Sequence, residues 1–295
     1  MMTAQVRFYT DPACPWSWAA EPALRRLMWE FEGELEFAWV MGGLARRFGK
    51  EYRDEEGRIG YGTDCFADLM SHWLVVAADG QMPTDPRIWI ENPLESTYPA
   101  CQAVKAASEQ GWEAGYRYLR RVREGIMVER RKLDHSDSLI AAAGQARIDR
   151  ARFEIDLRSN ASLEAFAADL EEVRDPPPEA REAGVVRRTE GHERIGFPSA
   201  LFIAVDGSRH GVWGGMARSH PALRDAALAA GAEQVNEGAL EPLDAIRRFG
   251  RCATLELEVL CERPRPVVEA ELWGMARDWK LKPVSALTGT LWDRA

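Results

Sequence analysis

The sequence predicts an α/β protein: strand, helix, strand, a long helical insertion, two further strands and a helix, then a small, mostly helical C-terminal piece. Three observations carry this. Gln5–Tyr9 and Glu34–Val40 alternate apolar and polar residues at period two, the signature of half-buried strands. The stretch from Thr63 to Glu182 has almost no strand signal but several amphipathic helical segments. Ala200–Val205 is almost wholly apolar, as expected of a strand covered on both faces.

Each element follows in order. The first strand runs into Thr10-Asp11-Pro12, a turn, and from Pro15 the pattern becomes helical, with Leu24, Leu27, Met28 and Phe31 at i, i+3, i+4 and i+7 and Gly33 as the stop. Pro22 removes one backbone donor from that helix and predicts a kink. Glu34–Val40 is the second strand and ends at Gly42-Gly43. Helices are expected over Pro99–Gln110, Gly115–Arg131 and Ser162–Val173, with Ser136 or Asp137 capping Leu139–Ala146 and Ser162 capping its own segment. Asp175-Pro176-Pro177-Pro178 ends the helical block. Asp206-Gly207 is a hairpin signal leading to Arg209–Trp213, and Pro221–Ala230 is a helix. The last piece reads as a helix from Pro242 to about Glu262, a second to Lys280, and a small hairpin across Leu287–Trp292. The domain division expected is 1–235, with the insertion at about 63–182, and 236–295.

Composition narrows the function. Lys plus Arg number 38 against 47 Asp plus Glu, a net charge of −9, which repels phosphate backbones and anionic lipid. The C-terminal piece outlines a helix-turn-helix with a wing, yet from Asn236 to Ala295 it holds 9 Lys and Arg against 10 Asp and Glu, where a DNA reader needs a basic face. It reads as a packing appendage or dimer surface, so a homo-oligomer stays open, and neither nucleic acid nor membrane is an expected partner. Met1–Thr10 carries Arg7 inside its only apolar stretch and lacks a signal-peptide pattern, which makes the cytoplasm the expected location. The five cysteines, 14, 65, 101, 252 and 261, are odd in number and widely spaced, as suits reduced thiols. The five histidines lack metal-ligand spacing, so no metal is expected.

The chemistry is concentrated in Asp11-Pro12-Ala13-Cys14-Pro15-Trp16-Ser17-Trp18, between the first strand and the first helix. A cysteine at a helix N-terminus meets unpaired N–H groups and the positive end of the dipole, which favour thiolate. Pro15 at the first helical position loses no hydrogen bond and preorganises the turn. Ser17 stands where a dithiol enzyme keeps its resolving cysteine, and its hydroxyl can donate to the thiolate but cannot form a disulfide. Trp16 is balanced between substrate contact and packing, Trp18 is assigned to the core, and Cys65, Cys101, Cys252 and Cys261 are assigned to packing, the last two in one helical segment. His192 is read as a solvated loop residue, and Glu129-Arg130-Arg131-Lys132 as a solvated helix end.

The Cys14-Pro15-Trp16-Ser17 turn between strand and helix, the helical insertion, and Gly196-Phe197-Pro198-Ser199 before a buried strand together resemble the DsbA branch of thioredoxin-like proteins over roughly Met1–Gly231. The nearest resemblance is to cytoplasmic FrnE-like members, and more loosely to DsbA-like adaptors that deliver a regulator to a protease. The resemblance implies a four- or five-stranded sheet, Cys14 as nucleophile with Ser17 beside it, Pro198 as a cis proline, and a substrate backbone docked against Phe197 and Pro198 with Pro15 and Trp16 alongside. Ser17 departs from the family's second cysteine, so the chemistry expected is monothiol: thiol-disulfide exchange on a protein or small disulfide, with glutathione as co-substrate and no resident cofactor. Two alternatives stay open, a non-catalytic adaptor and a glutathione-dependent isomerase or transferase. In the related kappa-class transferase and hydroxychromene carboxylate isomerase group the reactive position is commonly serine, and retaining sulfur at Cys14 favours redox work.

Overall fold

The computed structural model describes residues 4–49, 65–189 and 191–295. Strand β1 (Ala4–Thr10) leads into two helices, α1 (Pro15–Ala19) and α2 (Glu21–Glu30), and then β2 (Leu35–Met41). The single kinked helix expected from Pro15 is in fact two. The chain breaks at Ala20, and Pro22 falls in the first turn of α2, where a missing N–H removes no intrahelical bond.

Among the described residues, eight helices follow: α3 (Cys65–Gly80), α4 (Ile88–Glu91), α5 (Tyr98–Ser108), α6 (Trp112–Met127), α7 (Ser136–Ala143), α8 (Arg150–Leu157), α9 (Asn160–Arg174) and α10 (Pro178–Glu182). The expected start of the insertion at Thr63 lies outside the described residues. Two caps move. His135 precedes α7 without a side-chain cap, and Ser159, not Ser162, caps α9 by accepting from the Ser162 N–H. The run Glu129–Lys132 is tied down rather than solvated: Arg130 pairs with Asp85 and Glu91, Lys132 with Glu95, and Glu129 with Arg251.

The triple proline ends α9 but also starts α10, with Pro178 at its first position. A hairpin absent from the sequence reading follows, β3 (Val186–Thr189) with β4 (His192–Ile195), and then β5 (Ser199–Ile203), β6 (Arg209–Val212), a 3-10 turn at Gly214–Arg218 and α11 (His220–Ala229). The main sheet has the order β2-β1-β5-β6, with β1 and β2 parallel and the other pairs antiparallel. Ala200 and Phe202 of β5 pack into one hydrophobic cluster and Leu201 and Ile203 into another, so both faces are covered, which is why the strand is apolar after Ser199.

The C-terminal segment comprises α12 (Pro242–Phe249), β7 (Cys252–Ala253), α13 (Thr254–Cys261), α14 (Arg265–Arg277), β8 (Leu281–Ala286) and β9 (Gly289–Arg294), with sheet order β7-β9-β8. The single helix expected over Pro242–Glu262 is interrupted because Gly250 turns the chain with φ +76° and Cys252 pairs with Trp292 in a strand. This segment has a small core of its own around Ile246, Leu257, Leu260, Val268, Leu272 and Trp292, while Ala253 and Leu291 join the main core.

A buried ionic network ties the two together. Glu21 accepts from Arg123 at 2.5 Å and from Tyr116 at 2.7 Å, and Arg120 makes a bidentate pair with Glu256 of α13 at 2.8 and 2.9 Å. Arg25 lies 3.2 Å from Glu256 and donates to the Arg251 carbonyl and the Cys252 sulfur. Desolvation pushes the Glu21 carboxyl up, but Arg120, Arg123 and Arg25 outweigh it and hold the group below its ordinary range. No helix among the described residues is long and apolar enough to cross a membrane.

Candidate active site

Cys14 is the N-cap residue of α1 in extended conformation, with Pro15 at the first helical position. Its N–H donates to the Asp11 carbonyl at 3.2 Å, and its own carbonyl accepts from the Trp18 N–H at 3.1 Å. Asp11 organises the turn from below. Its carboxylate accepts from the Ala13 N–H at 2.8 Å, from the Leu44 N–H at 2.7 Å and from the Cys101 thiol at 3.4 Å. One buried carboxylate thus joins the cysteine loop, the loop after β2 and α5.

The electrostatics of Cys14 differ from the sequence expectation. The residue is only 4% exposed. Burial pushes its thiol above the ordinary range, Ser17 and Arg194 pull it down, and Asp11 pushes it up. The expected lowering by the helix dipole is overtaken because α1 is only 5 residues long and therefore aligns few peptide dipoles, while desolvation acts on the whole sulfur. Ser17 Oγ is itself buried, and the Ser17 hydroxyl and backbone N–H both favour the charged form of the Cys14 sulfur.

The Phe197–Pro198 peptide bond is cis. Both residues line, with Cys14, Pro15 and Trp16, a cleft of about 330 Å³. Gly42 makes room for this arrangement, since a Cβ built there would lie inside the Phe197 ring. The structure therefore brings Cys14, Pro15, Trp16, Phe197 and Pro198 to one cleft and places Ser17 just beneath it. Trp18 is core, as expected, at 1% exposure. His192 begins β4, is exposed, and is not among the residues lining the cleft.

Sequence reasoning missed the charges of this cleft. Its walls carry Arg187, Arg194, Arg218 and His72. Arg194 stacks over Phe197 at 4.4 Å and is fixed by bonds to Thr189 Oγ1 and the Ile195 carbonyl, both 2.9 Å. Arg218 stacks over Trp16 at 4.5 Å and pairs with Asp79 at 2.6 Å. His72 meets the Trp16 ring edge-on at 6.3 Å. The signal available was the β-branched residues Val186, Thr189 and Ile195 on either side of Gly191, in a hairpin whose second strand was read as a loop.

The remaining cysteines have no such cleft. None of the five cysteines is in a disulfide, all are buried, and burial pushes Cys252 and Cys261 up to about 12. Among the described residues no group of histidine, cysteine and carboxylate side chains is arranged to hold a metal.

Comparison with known proteins places this geometry. Two curated relatives named ClpXP adapter protein SpxH are similar to the chain: that of Halalkalibacterium halodurans is 29% identical over 174 residues, 58% of this chain and 54% of the relative. That of Bacillus subtilis is 25% identical over 168 residues, 56% and 52%. The chain thus spans about half the length of these relatives. Among solved structures, the cytosolic disulfide reductase DsbM of Pseudomonas aeruginosa matches with a TM-score of 0.54 at 17% identity, over 76% of this chain and 98% of DsbM. The same protein solved with GSH matches with a TM-score of 0.54 at 18% identity, over 76% and 99%. The family profile described as Thioredoxin matches residues 8–175, a span that begins before Cys14 and runs through the helical insertion. By that match the chain belongs to the thioredoxin family, and its sheet with the long helical insertion gives it the DsbA-like form of that fold.

Proposed function

We propose that the protein is a monothiol thiol-disulfide oxidoreductase that acts through Cys14 and uses glutathione as co-substrate in a reducing, cytoplasmic setting. The observation that carries this reading is the cleft itself, which gathers Cys14, the Phe197–Pro198 wall and the side chains of Arg187, Arg194, Arg218 and His72 in a chain of net charge −9. A disulfide flanked by carboxylates, as in a glutathione adduct, meets complementary charge there. Similarity to DsbM, solved with GSH, points the same way.

The step balances simply. The Cys14 thiolate attacks the glutathionyl sulfur of a bound glutathione mixed disulfide, the S–S bond breaks, and the other half leaves as a thiolate that takes up a proton. Ser17 has no thiol to resolve the mixed disulfide, so glutathione attacks it, restores Cys14 and leaves as glutathione disulfide. Arg194 offsets the charge that develops on sulfur, while Pro15, Trp16, Phe197 and Pro198 hold the substrate. No resident cofactor is needed.

Incubation with glutathione disulfide followed by intact and peptide mass spectrometry tests this. One glutathionyl adduct is expected, on Cys14, reversible by glutathione and absent in Cys14→Ser. A wild-type protein that takes up none, or an adduct that persists in Cys14→Ser, overturns the reading. The relation to SpxH favours a second reading, a binding role for a protein partner. Capture of one partner by wild type and by Cys14→Ser alike, without turnover of glutathione disulfide, decides for it.

A further inference from the structure

Trp18 lies four residues beyond Cys14, and its N–H holds the Cys14 carbonyl. Its indole is gripped twice, and both grips lead to the C-terminal segment. The indole N–H donates to the Pro83 carbonyl at 2.9 Å. Pro83 precedes Thr84, and Thr84 is clasped by the β8–β9 turn: its N–H donates to Thr288 Oγ1 at 2.8 Å, and its carbonyl accepts from the Thr288 N–H at 3.2 Å and the Thr288 hydroxyl at 3.1 Å. Gly289 packs so closely that an added Cβ would sit 3.3 Å from Pro83 Cβ. Over the indole face, the Arg120 guanidinium stands 4.2 Å from the ring and is held by both oxygens of Glu256.

We propose that the C-terminal segment is a brace for the nucleophile, with Thr288 and Glu256 as positioning residues that fix Cys14 through Trp18. The proposal rests on the reading of Cys14 as the nucleophile. It gives the tip of the β8–β9 hairpin a task inside the molecule: without its clasp on Thr84, the Pro83 carbonyl loses its fixed place, the indole loses its anchor, and the one-turn helix α1 loosens around the sulfur. Since burial is what raises the Cys14 thiol, loosening exposes it and makes it more reactive toward a small alkylating agent. Disulfide exchange suffers instead, because it needs the sulfur aligned with the Phe197–Pro198 wall.

Thr288 is exposed, so its replacement leaves the core intact. The test compares the full-length wild type with Thr288→Val, Thr288→Ser and Ser285→Ala, the last on the same hairpin without a contact to Thr84. Iodoacetamide labelling is followed for each cysteine by peptide mass spectrometry across pH, beside glutathione-disulfide exchange and amide hydrogen exchange of Pro15–Ala20. In Thr288→Val, Cys14 labelling at pH 7 is expected to rise at least threefold, with its pH profile displaced downward. Disulfide exchange should fall by a similar factor, and α1 amides should exchange faster. Thr288→Ser, which keeps the hydroxyl, restores wild-type behaviour, and Ser285→Ala never departs from it. A Cys14 profile in Thr288→Val that overlays wild type overturns the brace, and so does parallel acceleration at all five cysteines, which would report general loosening. The labelling and hydrogen-exchange arms need no disulfide turnover, so they decide the brace even if glutathione disulfide proves inert and the functional reading fails.

Discussion

Two clefts of the molecule differ in kind, and the smaller is the better candidate for chemistry. The larger, about 1000 Å³, opens between α6, the start of β2 and the C-terminal segment, and carries six arginines against five carboxylates. Those charges largely answer one another: Arg120 and Arg121 both pair with Glu124 at 2.9 Å, Arg248 with Glu32 at 2.8 Å, and Arg251 with Asp293 at 2.8 Å. The Cys14 cleft has a third of that volume, and its walls bring three arginines and a histidine around the cysteine. Volume alone does not single out the cleft that holds the thiol. Cationic side chains around a nucleophile suit an anionic ligand, whereas charges paired between segments hold two parts of a chain together.

Substitutions can break this contrast. The largest effect is expected on stability at the seam: Glu256→Gln removes the bidentate partner of a buried guanidinium and should cost about 3–5 kcal/mol, read by denaturant unfolding. Next comes Arg194→Gln, which removes a charge-assisted contact worth about 1.5–2 kcal/mol and should slow exchange with glutathione disulfide by roughly 10- to 30-fold. The same change should slow exchange with the uncharged 2-hydroxyethyl disulfide far less. If both substrates slow alike, the cleft does not select by charge.

The pH dependence follows in size. Because burial holds Cys14 above the ordinary thiol range, near 8.5 for a free cysteine, wild-type labelling should keep rising above about pH 9 without a plateau. A plateau at neutral pH would mean that the dipole outweighs desolvation after all. Releasing Arg218 from its pair by Asp79→Asn should strengthen binding of anionic disulfides by about twofold, in keeping with the small worth of an exposed pair. The smallest effects close the series: Arg117→Gln and Arg147→Gln in the larger cleft, and His192→Ala outside both, should leave exchange kinetics within about twofold of wild type.

Much of this was legible in the sequence where local pattern and local chemistry agree. The alternation of β1 and β2, the unbroken apolar run of β5 and the Cys14-Pro15 turn all report their own surroundings. What escaped depends on distant partners. The break at Ala20 leaves Pro22 in a first turn, a choice that the helical periodicity of Leu24 and Leu27 cannot reveal because it begins only beyond the break. Cys252 reads as helical until Trp292 arrives to pair with it, and Arg194 reads as a loop charge until β3 supplies Thr189. The thiol of Cys14 was misjudged for the same reason. Its local helix start is visible in sequence, but its burial is contributed by elements remote in the chain.

Gly42, just after β2, and Phe197, just before β5, share one small volume at the same end of the sheet. Neither can drift alone across a lineage: any side chain at 42 evicts the ring, and with it the platform on which Arg194 stacks. In an alignment of related chains, the two columns should therefore change together or not at all. That paired signature would let a search find proteins with this cleft even where the cysteine turn has diverged.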